Sequence, residues 1–369
     1  MIFKNKLKLK KKITFYCEDI PERQLVSPLY KIFKENKYEV RITNDLSENS
    51  EIGYYCSPST HIKKINSKFS IISLGGMDQG KLFWPNFWYK EPWDKFDLGV
   101  LPGKKWREMW QSSTWFKSAL PKYGIITGGW PKTQSIKEKF KNNKNRQHKF
   151  KILYAPCFEN DEKGHDVINS VKNLDVIIEI KHLPWNESFE RIKHKDIRSN
   201  IAKMLIFTRN NLKNNFKIYN SKINIFDIFN KIDLLITDES SLIYEALLFD
   251  IPTLSCHDWL MRSSGRSKAR YVTKNEDICN YTSRSNLQNK IKEIILNYDK
   301  YIGNIRNKKN NYFSNIDNSA VYIFNILNNM VEKNELRNLE KPKFKISYIR
   351  SFFLNLKKKL NFFFLLALK

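Results

Sequence analysis

Glycine and proline are scarce, with twelve of each in 369 residues. That excludes a collagen-like or Gly/Pro-rich low-complexity chain. Cysteine is scarcer: Cys17, Cys56, Cys157, Cys256 and Cys279 form no Cys-x-x-Cys and no close pair. The set therefore offers neither a disulfide frame nor a zinc site, and it reads as reduced cytosolic thiols. No Gly-x-Gly-x-x-Gly opens a helix, so the dinucleotide fingerprint is absent. No metal cluster is visible either, and neither a metal nor a cofactor is expected. In the C-terminal tail the longest apolar run, Phe362 to Leu368, is far short of the ~20 residues that a spanning helix needs. The first residues are basic and lack a cleavable apolar core, so no secretory signal is expected. Acid is in short supply: 38 Asp and Glu face 65 Lys and Arg, for a net charge of +27. Zinc-finger spacing, RNP-like motifs and helix-turn-helix signals are all missing, so this charge does not point to a nucleic-acid partner.

The charge is unevenly placed. Residues 1–12 hold six lysines and no acid, and residues 341–369 hold seven lysines, one arginine and no acid. These tails carry fourteen of the twenty-seven net charges, and the rest is spread over Lys/Asn-rich segments such as Lys141 to Lys149. Between the tails, 41% apolar and 14% aromatic content supports well-filled cores, and the length suits two domains. Strand-like runs at 13–17, 38–42, 52–56 and 69–74 alternate with helical spacing, as at Pro21 to Glu35. This pattern predicts βαβ units around a parallel sheet. The expected organisation is a basic tail over 1–12, a Rossmann-like domain over 13–135, and a linker over 136–150. A second domain over 151–338 and a basic amphipathic tail over 339–369 complete it. Six of the nine tryptophans crowd residues 84–115. They read as core packing or, alternatively, as an aromatic platform for sugars or a membrane interface. Residues 284–337 read as long polar helices.

Asp233 to Trp259 is the most informative stretch. Leu234, Leu235 and Ile236 form an apolar run of the kind a buried parallel strand shows. Five polar residues follow, Thr237 to Ser241, and then a helical pattern from Leu242 that Pro252 ends before the strand Thr253 to Cys256. In open α/β sheets, ligands bind at the carboxyl ends of strands. Asp238 and Ser240 there are either ordinary N-caps or, with Ser241, part of an anion site at a helix N-terminus. Glu245 lies four residues after Ser241 and so on the same helix face, placed to accept hydrogen bonds from a ribose diol.

Asp233, Ile236, Thr237, Asp238, Ser240, Ser241, Glu245 and Pro252 together resemble the nucleotide-binding signature of the CDP-glycerol glycerophosphotransferases. This is the teichoic-acid polymerase and primase family, with the GT-B glycosyltransferase fold. The resemblance spans most of 70–275. It implies two Rossmann-like domains with parallel sheets facing a cleft, plus C-terminal helices. Ile152 to Cys157 matches a strand-end family motif, with Cys157 where threonine is common; Pro156, Cys157 and Glu159 are thereby implied as donor contacts. Lys181-His182-Leu183-Pro184 matches another and implies Lys181 as a donor contact and His182 as a catalytic group. Gly128-Gly129-Trp130-Pro131-Lys132 resembles a further family turn and adds Gly129. The family's catalytic base is a histidine in the loop after the strand ending near Leu74. Gly75 and Gly76 stand there in this chain, and Asp78 is the alternative base.

The expected function is a transferase moving a glycerophosphate or related group from a CDP-activated donor to a cell-envelope glycan or lipid-linked acceptor. Two alternatives stay open. One is a sugar-nucleotide glycosyltransferase or epimerase of the same fold; the other is a non-catalytic nucleotide- or envelope-binding protein. The basic loop Arg262 to Arg270 faces phosphates or is simply solvated. The tail from Phe344 mixes aromatics with Lys357, Lys358 and Lys359, which suits an anionic membrane surface, or it is a helix docked on the protein's own core. The first of these places the protein in the cytoplasm, peripheral on the inner face of the plasma membrane.

Overall fold

Alternating apolar runs and helices give two parallel sheets of six strands each, carried by two compact units. The computed structural model describes residues 8–56, 62–77, 88, 91–134, 136, 149–183, 195–212, 214–261 and 269–343. The first unit comprises residues 1–75, 79–134 and 311–369, and the second residues 76–78 and 135–310. This is the α/β, GT-B-like class with two Rossmann-like units that the sequence predicts.

In the first unit the strands are β1 (Lys12–Tyr16), β2 (Glu39–Thr43), β3 (Ser50–Tyr55), β4 (Ser67–Ser73), β5 (Leu98–Val100) and β6 (Ile125–Ile126), in the order β2-β1-β3-β4-β5-β6. Every pairing is parallel. Parallel strands covered on both faces must be apolar, and Phe15, Ile52, Phe69, Ile71 and Leu98 are fully buried. The helix Ile20–Glu35 starts where Asp19 Oδ1 accepts from the Glu22 amide at 2.9 Å, with Pro21 in the first turn. Trp88, Trp93, Trp106 and Trp110 are all buried, and Trp88 meets Trp93 edge-on at 5.7 Å. They are core.

The second-domain boundary expected at 338 is displaced, because residues 311–338 belong to the first unit. The helix Ser319–Lys333 buries Ala320, Ile323, Phe324, Leu327 and Met330. Phe324 lies 5.0 Å from Phe33 on the helix Ile20–Glu35. Ser319 Oγ donates to the Trp130 carbonyl at 2.7 Å. These contacts join residues nearly 190 or more positions apart, which no local pattern encodes. Residues 284–337 hold five helical elements, from Arg284–Asn286 to Ser319–Lys333, and the last four bury apolar residues, in place of long polar helices. Most of the expected linker and the tail from Phe344 lie outside the described residues.

In the second unit the strands are β7 (Phe150–Tyr154), β8 (Val176–Ile180), β9 (Phe216–Ile218), β10 (Leu234–Ile236), β11 (Thr253–Cys256) and, after a small antiparallel ribbon of β12 (Leu260–Met261) and β13 (Arg270–Tyr271), β14 (Asn280–Thr282). The sheet order is β14-β11-β10-β7-β8-β9, parallel throughout. The chain builds outward from β7 to β9, returns to β10, and builds outward the other way. The order therefore reverses between β7 and β10, and a ligand crevice is expected outside the carboxyl ends of those two strands.

Candidate active site

The loops leaving β7 and β10 are fastened together by a buried charge pair. Asp238, the second residue after β10, has no exposed surface. Its Oδ1 accepts from the Cys157 amide at 2.7 Å, and its Oδ2 from the Phe158 amide at 3.3 Å and Lys163 Nζ at 2.8 Å. Lys163 is equally buried and also donates to Asn160 Oδ1 at 3.1 Å. Thr237 Oγ1 adds a bond to the Ala155 carbonyl at 2.7 Å. Asp238, expected as a donor contact, thus spends both oxygens inside the protein and braces the loop. A buried pair of this kind offsets its desolvation cost only through such a full set of bonds. Sequence reasoning missed Lys163, because 75 residues separate it from its partner.

The second cluster orients the histidine. His182, directly beyond β8, is buried and places Nε2 2.9 Å from Glu159 Oε2. Tyr154 OH donates to the same oxygen at 3.0 Å, and the Gly164 amide to Glu159 Oε1 at 3.1 Å. Burial, with the Glu159 and Asp238 charges, pushes the Tyr154 phenol well above its usual range. It stays a donor. An ionised carboxylate only accepts, so His182 Nε2 carries hydrogen and Nδ1 is the nitrogen left for other chemistry. Glu159, expected to touch the donor, is the residue that fixes this tautomer. Lys181 Nζ donates to the Ser221 carbonyl at 3.0 Å and holds the loop after β9.

The serine pair follows. Ser241 Oγ lies 3.4 Å from Glu245 Oε1, on the shared face that their spacing predicts. Ser240 Oγ accepts from the Leu242 amide at 3.3 Å. The helix Leu242–Leu247 has only six residues, and Ser241 enters it with helical backbone and no side-chain cap. The helix dipole is correspondingly slight, and the hydroxyls and Glu245 carry the chemistry here. Glu239, between Asp238 and Ser240, is buried with neither oxygen hydrogen-bonded. It passed unremarked in the sequence.

Pro156 is buried, and Cys157 is half-buried and not joined in a disulfide. Gly129 lies in the first unit at φ +92°, and a Cβ there would collide with the Ser314 carbonyl, which explains the glycine by backbone packing. Gly75 is equally constrained: a Cβ would press into the Cys56 carbonyl oxygen. Asp78 lies outside the described residues. Among the described residues, no group of three or more His, Cys, Asp or Glu side chains is arranged to hold a metal ion.

Comparison with known proteins agrees with this geometry. Solved structures with a similar fold include the wall teichoic acid polymerase TagF, at 17% identity over 90% of this chain and 92% of that one, with a TM-score of 0.56. A TagF variant soaked with CDPG gives 0.59 at 14% identity, over 89% and 91% of the two chains. The S. aureus MnaA–UDP co-structure gives 0.57 at 15% identity, over 90% of this chain and all of that one. At such identities the likeness concerns the fold. No curated protein sequence matches the chain. The model of one family, CDP-glycerol:poly(glycerophosphate) glycerophosphotransferase, matches residues 88–327. That span is well over half of the chain and takes in the whole second sheet, β5 and β6 of the first, and every described residue of the β7–β10 crevice, so the chain belongs to this family of transferases.

Proposed function

We propose that the crevice at β7 and β10 binds a CDP-linked donor, and that the chain transfers glycerophosphate or a related group to a cell-envelope glycan or lipid-linked acceptor. One observation carries this reading: loops from β7, β8 and β10 converge at the reversal of the sheet, and a buried network holds them there. The network leaves His182 Nδ1 for a ligand, and Ser240, Ser241 and Glu245 follow it on the β10 loop and the helix it enters. The serines and adjacent amides serve the diphosphate, and Glu245 serves the ribose diol. In the reaction an acceptor hydroxyl oxygen forms a bond to the distal phosphorus, the bond from that phosphorus to the CMP oxygen breaks, and the hydroxyl proton is released. His182, held by Glu159 through Nε2–H, takes up that proton at Nδ1, and the imidazolium so formed stabilises negative charge on the departing phosphate. The first unit, whose Gly75 cannot be replaced by the family's histidine without moving Cys56, is the acceptor-side domain.

The acceptor reading extends to a surface. No helix among the described residues is long and apolar enough to cross a membrane. The acid-free tails place the chain peripherally on an anionic cytoplasmic leaflet, where a lipid-linked acceptor is presented. Deleting 344–369 is expected to release the protein from anionic liposomes and to leave donor binding intact; undiminished flotation of the deleted protein would refute the tail's role.

Calorimetric titration with CDP, UDP and CMP tests the donor site. Wild-type protein is expected to prefer CDP. Ser241→Ala and Glu245→Gln are each expected to weaken it by ~1–3 kcal/mol, the cost of losing a hydrogen bond to a charged group. Equal affinity in both variants would remove these residues from the site.

A further inference from the structure

Asp238 and Glu239 are adjacent carboxylates, both buried, with opposite fates. Asp238 receives three donors from the protein. Glu239 receives none: neither Oε1 nor Oε2 accepts a hydrogen bond, although only 3% of the residue is exposed. Among the described residues its one ion-pair partner is Arg270, whose Nη1 lies 2.7 Å from Oε2. The hydrogens of that nitrogen point elsewhere, to the Tyr271 carbonyl at 3.1 Å and Thr273 Oγ1 at 2.9 Å. Arg270 itself is half exposed, and its Nε and Nη2 make no hydrogen bond among the described residues. Buried carboxylates are ordinarily satisfied, and an unsatisfied one marks a functional site or a strain reservoir.

The pair therefore offers a buried acceptor with no donor, beside a guanidinium with unused donors. A second cation does not fit, because Arg270 already supplies positive charge. A ligand complementary to both groups carries hydroxyls next to a phosphate. We propose that Glu239 and Arg270 form a polyol-phosphate subsite: Glu239 accepts from the hydroxyls, and Arg270 engages the neighbouring phosphate. This inference rests on the β10 loop being the donor site. Two parts of a CDP-polyol donor have this chemistry, the ribose with its 5′-phosphate and the transferred polyol with its own.

Titration of the full chain with CMP, 2′,3′-dideoxy-CMP and glycerol 3-phosphate separates the two. If ribose is the occupant, wild-type protein prefers CMP to the dideoxy compound by about tenfold. Glu239→Gln then lessens that preference, Glu245 holding the rest, and leaves glycerol 3-phosphate affinity unchanged. If the polyol is the occupant, Glu239→Gln weakens glycerol 3-phosphate about tenfold and leaves the CMP to dideoxy-CMP ratio unchanged. Arg270→Ala weakens whichever ligand responds. The melting temperature of Glu239→Gln is measured alongside to show that the variant folds; Glu239→Ala serves as the second variant. Equal affinities of wild type and both Glu239 variants for all three ligands would overturn the subsite alone, as would equal weakening of CMP and dideoxy-CMP. Wild-type protein that binds none of them would overturn the donor-site reading as well.

Discussion

Each unit has a point where the strand order reverses, and the two points differ in chemistry. In the first unit the reversal falls between β1 and β3. Cys17 and Cys56 follow those strands, both buried, and Ser73 closes β4 nearby. Burial and the adjacent Cys17 push the Cys56 thiol well up, so the thiol is neutral, and the buried carboxylate of Glu22 stands close by. In the second unit the reversal falls between β7 and β10 and is lined by Asp238, Lys163, Glu159 and His182, all buried. One kind of topology makes a crevice in both, but the second gathers a mutually bonded cluster of buried charges where the first has the carboxylate of Glu22 beside a neutral thiol, and clustered charges in a low-dielectric setting act strongly on an anionic donor. Topology says where a ligand sits, and the residues two or three positions beyond each strand decide which ligand.

The largest effect should come from breaking the charged end. Lys163→Met leaves Asp238 buried and uncompensated, and a loss of about 3–5 kcal/mol in urea unfolding is expected; a loss under ~1 kcal/mol would show that the brace is not structural. Next in size, His182→Ala should reduce turnover ~10²-fold, near 2.7 kcal/mol in barrier, with CDP affinity preserved. Turnover at the wild-type level would take His182 out of the chemistry. The first unit's end gives the third test. Gly75→His restores the family's residue, yet its Cβ meets the Cys56 carbonyl, so we expect it to destabilise the fold by ~1–3 kcal/mol and not to raise activity. A more active, equally stable variant would show that the backbone yields there.

The smallest effect depends on pH and concerns both ends alike. Burial raises the phenols of Tyr54 and Tyr55 in the first unit and Tyr154 in the second. The unfolded chain releases these protons from about pH 10, while the folded chain retains them. Above that pH the unfolded state binds fewer protons, so stability is full below pH ~10 and falls as pH rises. Denaturant midpoints measured at pH 9 and 10.5 should decline, and Tyr154→Phe should lessen the decline. A flat profile would mean that the phenols ionise freely in the folded state.

The sequence shows the strands well where they are apolar and bounded by turn residues: 13–17, 52–56, 69–74 and 234–236 all lie within a residue or two of β1, β3, β4 and β10. β9 and β14 escaped notice because each has three residues and at most one buried position. Ser241 and Glu245 were legible because helical spacing brings them together. Asp238 was legible as a site residue but not as a brace, since its role depends on Lys163. Glu159 and His182 were each found through separate motifs; their pairing across 23 residues is visible only in three dimensions. The return of residues 311–343 to the first unit is likewise long-range, and Ala320 or Phe324 shows an apolar helix face without saying what covers it.

The clasp on that returning segment has a mechanical meaning. The Glu340 amide donates to the Ile125 carbonyl at 2.8 Å, Gln111 Nε2 donates to the Lys341 carbonyl at 2.8 Å, and the Lys343 amide donates to Gln111 Oε1 at 2.6 Å. Arg107 Nη1 adds an ion pair to Glu340 at 3.1 Å. A single glutamine side chain thus grips the backbone on both sides of Pro342. Any tension on residues beyond 343 is delivered through this grip to the helix Lys104–Ser113 and the edge strand β6.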